Sequence, residues 1–506
     1  MAASIVITGL PANDPVPGAY IDIQFAQGQV AGSGSLHSVL LMGNRTTAGT
    51  ATVDTTLYGP DTAVPCQSEE DVIGLFGAGS ELHRMWRRFT AVNRDTTLYL
   101  LAVTESPGAA ATGTITLAPT PTAGGMLRLW VVDEFVDVPI GTGDTPTAVA
   151  TDAVTKINAM THWPVTAANA AGVITLTAKQ KGLRGNLVRY QAAVLGSGVA
   201  MTATTAAARL AGGTTADSNT VALGTIAPKR YYYIVSAAED ATQFGAVVAQ
   251  VNSQAMPTTG IRQRAFAGSL DSVANAITVA VGRNAARGEI VWQLGSDWTP
   301  AELAANHGAV VALYEAGQMP RPRHNFTGFG NDAVTQASWR VPAPRSGVAP
   351  TRAEIKAALM NGVSPIASNA NGTTYMVDRI TTRSLSGATA DYRIRDAHKV
   401  TVCDFFGDDV LAKTVLQCSG MDIADDAPEG APIPGPNVLT PSRYKSLVFS
   451  VINYHAANDQ LQNVDQIKAD TVVQREVSPA TRMTARVPLQ PIDAAKQFGV
   501  VIPQVA

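Results

Sequence analysis

Between residues 229 and 317, short apolar runs alternate with amphipathic stretches, and this alternation limits the fold more than any other feature. Tyr231–Ser236, Gln263–Ala267 and Glu289–Leu294 read as strands bounded by turn residues. Between them, residues 240–254 place Phe244, Val247, Val248 and Val251 on one helical face, and residues 271–287 do the same with Val273, Ile277 and Val281. A third helix over 299–316 opens with a capping box: Thr299 caps, Pro300 takes the first turn and Glu302 sits three residues on. Strand–helix alternation of this kind requires right-handed crossovers and a largely parallel sheet. Leu36–Gly43 and Thr97–Val103 supply further strands, and Glu69–Thr90 a helix interrupted by glycine at 77–79.

The flanks differ in character. Residues 105–215 are rich in Ala, Thr and Gly and poor in charge. Gly113–Ala118, Met126–Val132, Glu134–Ile140, Val173–Lys179 and Leu187–Val194 read as strands, residues 147–160 as a helix, and 195–217 as a low-complexity linker. Gln318–Pro350 is loop-like. A second α+β pattern starts at 351 with a short helix, Thr351–Asn361, boxed by Thr351 and Glu354. Thr373–Arg383 reads as a strand, His398–Thr414 mixes strand and helix signals, and Ser442–Asn463 is amphipathic. The expected fold is therefore a multidomain α/β and α+β chain. An N-terminal arm (1–30) leads into an α/β core with a largely parallel sheet (31–104 plus 218–350). A β-rich α+β domain with its linker (105–217) is inserted in that core, and a C-terminal α+β domain (351–506) ends in a second arm.

Charge is sparse. Asp, Glu, Lys and Arg make up 15 % of the 506 residues, against about 25 % in ordinary soluble domains. A compact monomer of this mass would expose on the order of 17,600 Å², so the charges would be thinly spread over it. Much of the surface is expected to be covered, most simply by further copies of the chain. A net charge of −3 and 6 % aromatics argue against a nucleic-acid partner. No apolar run approaches the length of a bilayer span. The N-terminus has no secretory signal pattern, which points to synthesis as a cytoplasmic protein. Cys66, Cys403 and Cys418 fit no zinc spacing and read as small buried hydrophobes.

No catalytic, cofactor or metal constellation emerges. Ser236, Glu239, Asp240, Ser269, Asp271, Ser296 and Asp297 follow the strands of the alternating region, yet no glycine-rich phosphate loop accompanies them, so they read as caps and turns. The seven histidines are scattered, and His307 reads as a partly buried structural residue. Asp404, Asp408 and Asp409, like Asp422, Asp425 and Asp426, lack calcium-loop spacing and read as solvated surface. The chain is expected not to be an enzyme and to need no cofactor.

The two ends carry the clearer signal. Tyr20–Gln27, led by Tyr20 and with Ile21, Ile23 and Phe25 alternating against polar residues, reads as a strand on a Pro/Gly-rich leader. Met483, Ala485 and Val487 alternate in the same way with Arg482, Thr484 and Arg486. Proteins normally suppress unpaired strand edges. Two such arms point to strand pairing between chains.

Three stretches resemble the contractile-tail sheath family, Mu-like type: Pro17-Gly18-Ala19-Tyr20-Ile21-Asp22, Glu289–Tyr314, and NGVSPIASNANGTTYMVDRITTRS at 361–384. Residues 113–190 resemble the inserted domain of such sheaths. The resemblance implies a homo-oligomeric helical sheath around a tail tube protein, with baseplate and tail terminator proteins at its ends and no direct membrane insertion. It implies assembly in the host cytoplasm and residence in the virion tail, with contraction driving the tube through a cell envelope. The distinct composition of 105–215 and the linker after it place that segment on the outside, and the resemblance places 351–506 against the tube, where Arg352, Lys356, Arg443 and Lys445 are the candidate contacts. Rival readings are another self-assembling protein, such as a baseplate or surface-layer subunit, and an α/β enzyme or ligand-binding protein.

Overall fold

The computed structural model describes residues 38–51, 63–227, 229–238, 240–316, 341–369, 372–393, 395–432 and 434–493, together with Ala19 and Ile21. Tyr20, Ile23 and Phe25 of the expected N-terminal strand, most of the 318–350 loop and the extreme C-terminal tail lie outside the described residues.

The chain begins with β1 (Ser38–Gly43), β2 (Val64–Pro65), α1 (Glu69–Phe76), α2 (Glu81–Thr90) and β3 (Thr97–Ala102). The expected glycine break separates α1 from α2, and Ser68 and Ser80 cap them by accepting the N–H groups of Asp71 and His83. The inserted segment follows: β4 (Ala110–Ala118), β5 (Gly125–Val131), β6 (Glu134–Ile140), α3 (Pro146–Ala159), β7 (Val165–Ala170), β8 (Val173–Lys181), β9 (Tyr190–Leu195) and β10 (Thr202–Thr205). The core resumes with α4 (Thr220–Ile226), β11 (Tyr233–Ser236), α5 (Gln243–Gln254), β12 (Arg264–Ser269), α6 (Val273–Arg283), β13 (Gly288–Trp292), α7 (Pro300–Ala316), α8 (Arg352–Met360), β14 (Ser364–Ser368) and β15 (Thr374–Met376). The C-terminal body comprises β16 (Leu385–Ser386), β17 (Thr389–Ala390), α9 (Ala397–Cys418), β18 (Asp422–Ile423), β19 (Val438–Leu439), α10 (Pro441–Ala457), α11 (Val464–Asp470), β20 (Val472–Arg475) and β21 (Met483–Arg486).

Among the described residues the main sheet has eight strands in the order β15-β14-β13-β12-β11-β1-β3-β2. Every pairing from β14 to β3 is parallel, and only the edge strands β15 and β2 run antiparallel. The alternation over 229–317 thus forms the sheet it predicts. The sheet also crosses the boundary expected at 350, because β14 continues it beside β13. Its central strands are buried on both faces, as parallel strands must be. Leu40, Met42, Ile234, Ala265, Ile290 and Trp292 pack against α5 and α6. Val39, Leu41, Leu100, Val235, Phe266 and Val291 share the other core with α2 and α7. Helix α7 lies so close to the sheet that a Cβ on Gly308 would stand 2.5 Å from a Val235 methyl carbon, and one on Gly268 2.1 Å from the Pro300 carbonyl oxygen.

Among the described residues the inserted strands pair only with one another, as β10-β4-β8-β7 and β6-β5-β9. The stem is closed by Thr104 and Ser218, which exchange backbone hydrogen bonds of 3.2 and 3.1 Å. Residues 195–217 are not a free linker: β10 pairs with β4, and Leu210 and Ala211 also bond back to the body. The strand β7 was not foreseen either; VTAANA has too few large apolar residues to announce itself. The strand expected over Thr373–Arg383 stops at Met376, and the mixed signal at 398–414 resolves as one 22-residue helix, α9.

Candidate functional site: charged joints, capped edges and an open hairpin

The sheet carries arginines at the N-terminal ends of its strands, and α9 brings acids to meet them. Thr401, Asp404 and Asp408 fall three and four residues apart, on one helical face. Arg287, just before β13, grips Asp404 with both terminal nitrogens at 2.5 and 2.6 Å. Asp408 accepts from Arg230 at 2.8 Å and from Arg262 at 2.5 Å, and from the Tyr232 hydroxyl at 3.2 Å. Burial would raise the Asp408 carboxyl, but Arg230 and Arg262 outweigh it and hold it below the usual range. These are two of the acids read from sequence as solvated surface. Their partners lie 117 to 178 residues away in the chain, so local spacing could not reveal them.

Inside this seam is a sealed cluster. Arg379 donates to Glu289 at 2.8 and 3.0 Å and also to Glu315. Arg264 bonds Glu289 and Thr401, Tyr233 donates to Glu315, and His307 Nε2 lies 3.2 Å from Glu289. All these side chains are buried, and two guanidinium groups face two carboxylates. Burial alone would raise both glutamates; the two arginines hold Glu289 well below the carboxylate range and bring Glu315 below its ordinary value. Burial pushes His307 down, and the arginines push it further, although Glu289 opposes them. A neutral histidine walled in this way is structural. Three of the turn residues after the strands keep their bland reading: Ser236 and Ser296 accept the N–H groups of Ala238 and Trp298, and Asp240 those of Thr242 and Gln243. Glu239 lies outside the described residues, and Asp297 is a buried ion-pair acid instead of a cap, because Arg189 and Arg345 reach it from distant parts of the chain.

A second joint fixes the insert to the core. Arg184, after β8, bridges Glu81 at 2.7 Å and Asp217 at 3.1 Å. Arg189 and Arg345 converge on Asp297 at 3.2 and 3.3 Å. Arg84 and Arg88 of α2 both bind Glu302, the capping-box acid of α7, and Arg88 also reaches Asp133 of the insert. These groups border a crevice that includes Glu134, His162 and Trp163. Burial would raise the Glu134 carboxyl, but hydrogen bonds from His162 and Trp163 and the charge of Arg87 bring it down to about 2.

The strand edges are treated in two ways. On the insert, Asn158 of α3 donates to the Ala167 carbonyl at 3.0 Å and accepts its N–H at 2.8 Å, so a side chain occupies the outer edge of β7. Lys156 donates to the Asp137 carbonyl on β6 at 2.6 Å. In the C-terminal body, β20 and β21 form an antiparallel ribbon with no third strand among the described residues. The Glu476 N–H donates to the Arg482 carbonyl at 2.8 Å. By the antiparallel alternation, the N–H groups of Met483 and Ala485 then point to the outer edge of β21. The side chains of Met483, Ala485 and Val487 pack against the C-terminal apolar cluster, as does Ile21.

The four cations expected at the tube fall in two places. Arg352 and Lys356 are exposed on α8, in the core. Arg443 and Lys445 lie on α10, and Arg443 is already occupied: its guanidinium donates to the Pro434, Gly435 and Val438 carbonyls of its own chain. Lys445 lies 5.5 Å from the Phe449 ring.

No family model matches the chain. Over 184 residues it is 32 % identical to the Mu-like prophage FluMu tail sheath protein of Haemophilus influenzae. A third of the chain is sheath-like sequence. The match spans 36 % of this chain and 36 % of that relative. Among solved structures, the sheath tail protein of Desulfitobacterium hafniense is 15 % identical, with 94 % of this chain and 97 % of that one covered and a TM-score of 0.47. The helical sheath of the anti-feeding prophage in its contracted state is 11 % identical, with 97 % and 100 % covered and a TM-score of 0.44.

Proposed function

We propose that this chain is the structural subunit of a contractile tail sheath. It would polymerise helically around a tail tube, on a baseplate, and contract to drive the tube through an envelope. The observation that carries this reading is the 32 % identity to a Mu-like tail sheath protein over 184 residues. The sparse charge and the ribbon β20–β21 support it. The energy of contraction is conformational, stored at assembly and released when interfaces between copies repack.

In this reading the insert projects outward, and the C-terminal body faces the tube. On assembly, residues 20–27 of one copy, with Tyr20, Ile21, Ile23 and Phe25, would extend the ribbon of a neighbour along the outer edge of β21, Ile21 exchanging the apolar cluster of its own chain for that of the neighbour. The tube contact uses Lys445 and its surroundings rather than Arg443, whose donors are spent within the chain. Assembly takes place in the host cytoplasm and the product belongs to the virion tail, with tube and terminator proteins as further partners.

Electron microscopy of the purified full chain tests the reading. Hollow tubes of regular helical pitch are the expected outcome. Flat lattices would indicate a surface-layer protein instead. Dispersed particles holding a small molecule would indicate an enzyme or binding protein.

A further inference from the structure

Helix α9 changes character along its length. Its first half is buried on the core, but its last turns leave Val415 57 % and Leu416 82 % exposed. Val477, at the turn of the β20–β21 ribbon, is 92 % exposed, and Arg475 beside it ties that turn to Asp425 at 3.1 Å, just beyond the end of α9. Val415 and Leu416, adjacent and exposed at the end of the helix, mark a contact surface. Two acids of the segment that follows α9, Asp422 and Glu429, are exposed and make no ion pair among the described residues, whereas the nearby cations are engaged, Lys413 with Ser450 and Arg475 with Asp425.

The same chain carries a surface of opposite kind. On α8, Arg352, Lys356 and Met360 recur at every fourth position, and all three are exposed. Successive members turn by about 40° around the helix, so they form one stripe. Ala358, on the far side, is buried against the core. The acid of this helix, Glu354, is turned into the capping box with Thr351 and does not neutralise the stripe.

We propose that the exposed apolar end of α9, with the acids of the segment that follows it, docks on the α8 stripe of a neighbouring copy, with Leu416 against Met360 and Asp422 and Glu429 toward Arg352 and Lys356. This rests on the sheath-subunit reading and deepens it by naming a lattice contact. The two surfaces differ and lie on different bodies of one chain. The contact is therefore heterologous, the kind that propagates an open helix instead of closing a dimer. It also takes Arg352 and Lys356 away from the tube.

The test uses full-length protein and follows tube formation by sedimentation and electron microscopy, with and without tube protein. Leu416→Ser and the pair Arg352→Glu/Lys356→Glu should each raise the critical concentration for tubes about fivefold or more, the scale of losing two exposed ion pairs or one apolar anchor per contact. Their monomer melting temperature should not move, since all three residues are exposed. Joining Arg352→Glu/Lys356→Glu to Asp422→Lys/Glu429→Lys should restore assembly. Unchanged assembly of the single sets, or failure of the joined set to recover, overturns the contact. Loss of tube co-assembly with normal empty sheath would show that the stripe binds the tube, and also overturns it. A wild-type chain that stays monomeric overturns the sheath reading itself, and this contact with it.

Discussion

The insert and the C-terminal ribbon are both built of short antiparallel strands, yet they end differently at their margins. In the insert, the outer groups of β7 are taken by the carboxamide of Asn158, and Lys156 blocks a carbonyl of β6. Side chains from one helix have replaced the next strand. In the ribbon, Met483 and Ala485 aim their N–H groups outward with no third strand among the described residues. A two-stranded ribbon is marginal by itself. The contrast shows that this chain has the means to close an edge and uses them selectively. Blocking an edge suppresses pairing with other chains, and the arm exchange proposed above would use the edge that is not blocked.

The sharpest way to break the comparison is to place proline on each edge. Ala485→Pro removes an outward donor while sparing the β20–β21 ladder. Tube formation should be lost, with monomer stability changed by no more than about 1 kcal/mol. Ala167→Pro removes the N–H held by Asn158 and should do the reverse, lowering stability by about 1–2 kcal/mol with assembly intact. If both prolines act alike on sedimentation, the distinction between the edges fails.

Next come the joints that hold the two regions. Arg287→Met leaves Asp404 buried without its guanidinium, and Arg184→Met does the same to Glu81 and Asp217. Each should cost about 3–5 kcal/mol in denaturant unfolding. Proteolysis should then release the C-terminal body in the first variant and the insert in the second. Cleavage at the same sites in both would show that the joints are not separate.

Acid sharpens the contrast further. The folded Glu134 carboxyl titrates at about 2, below its unfolded value of 4.5. The junction therefore gains its full contribution above about pH 4.5 and loses it as the pH falls toward 2. Trp163, which donates its indole N–H to Glu134, should report this step by fluorescence, and Glu134→Gln should abolish it. The smallest effect is expected for Asn158→Ala. It should cost about 1 kcal/mol and expose the β7 edge, read as slow concentration-dependent association of otherwise monomeric protein.

What could be read from the sequence was whatever rests on local periodicity. The parallel sheet followed from the alternation at 229–317, and the helices 352–360 and 300–316 from their capping boxes. β7 and β10 were missed because Ala- and Thr-rich strands lack the large apolar residues that make alternation visible. The joints were missed because each links residues far apart: Arg379 meets Glu289 across 90 positions. A signal was nevertheless present. Asp404 and Asp408 stand four apart beside Val402, Phe405 and Phe406, and Arg262, Arg264 and Arg287 sit at the starts of apolar strands. Charges set into apolar elements imply partners.

The clasp between Thr104 and Ser218 bears on the order in which the molecule forms. Strand β1 pairs with both β3 and β11, and the whole insert lies between those two partners. Joining them across a disordered loop on the order of a hundred residues would cost roughly 4 kcal/mol of chain entropy. An insert that folds first brings its own ends together, and to the core the long detour then becomes a tight turn. Pulse-labelled hydrogen exchange should accordingly find the amides of β4 and β8 protected before those of β1 and β11. The part of the chain that contributes least to the central sheet would then govern how fast that sheet can close.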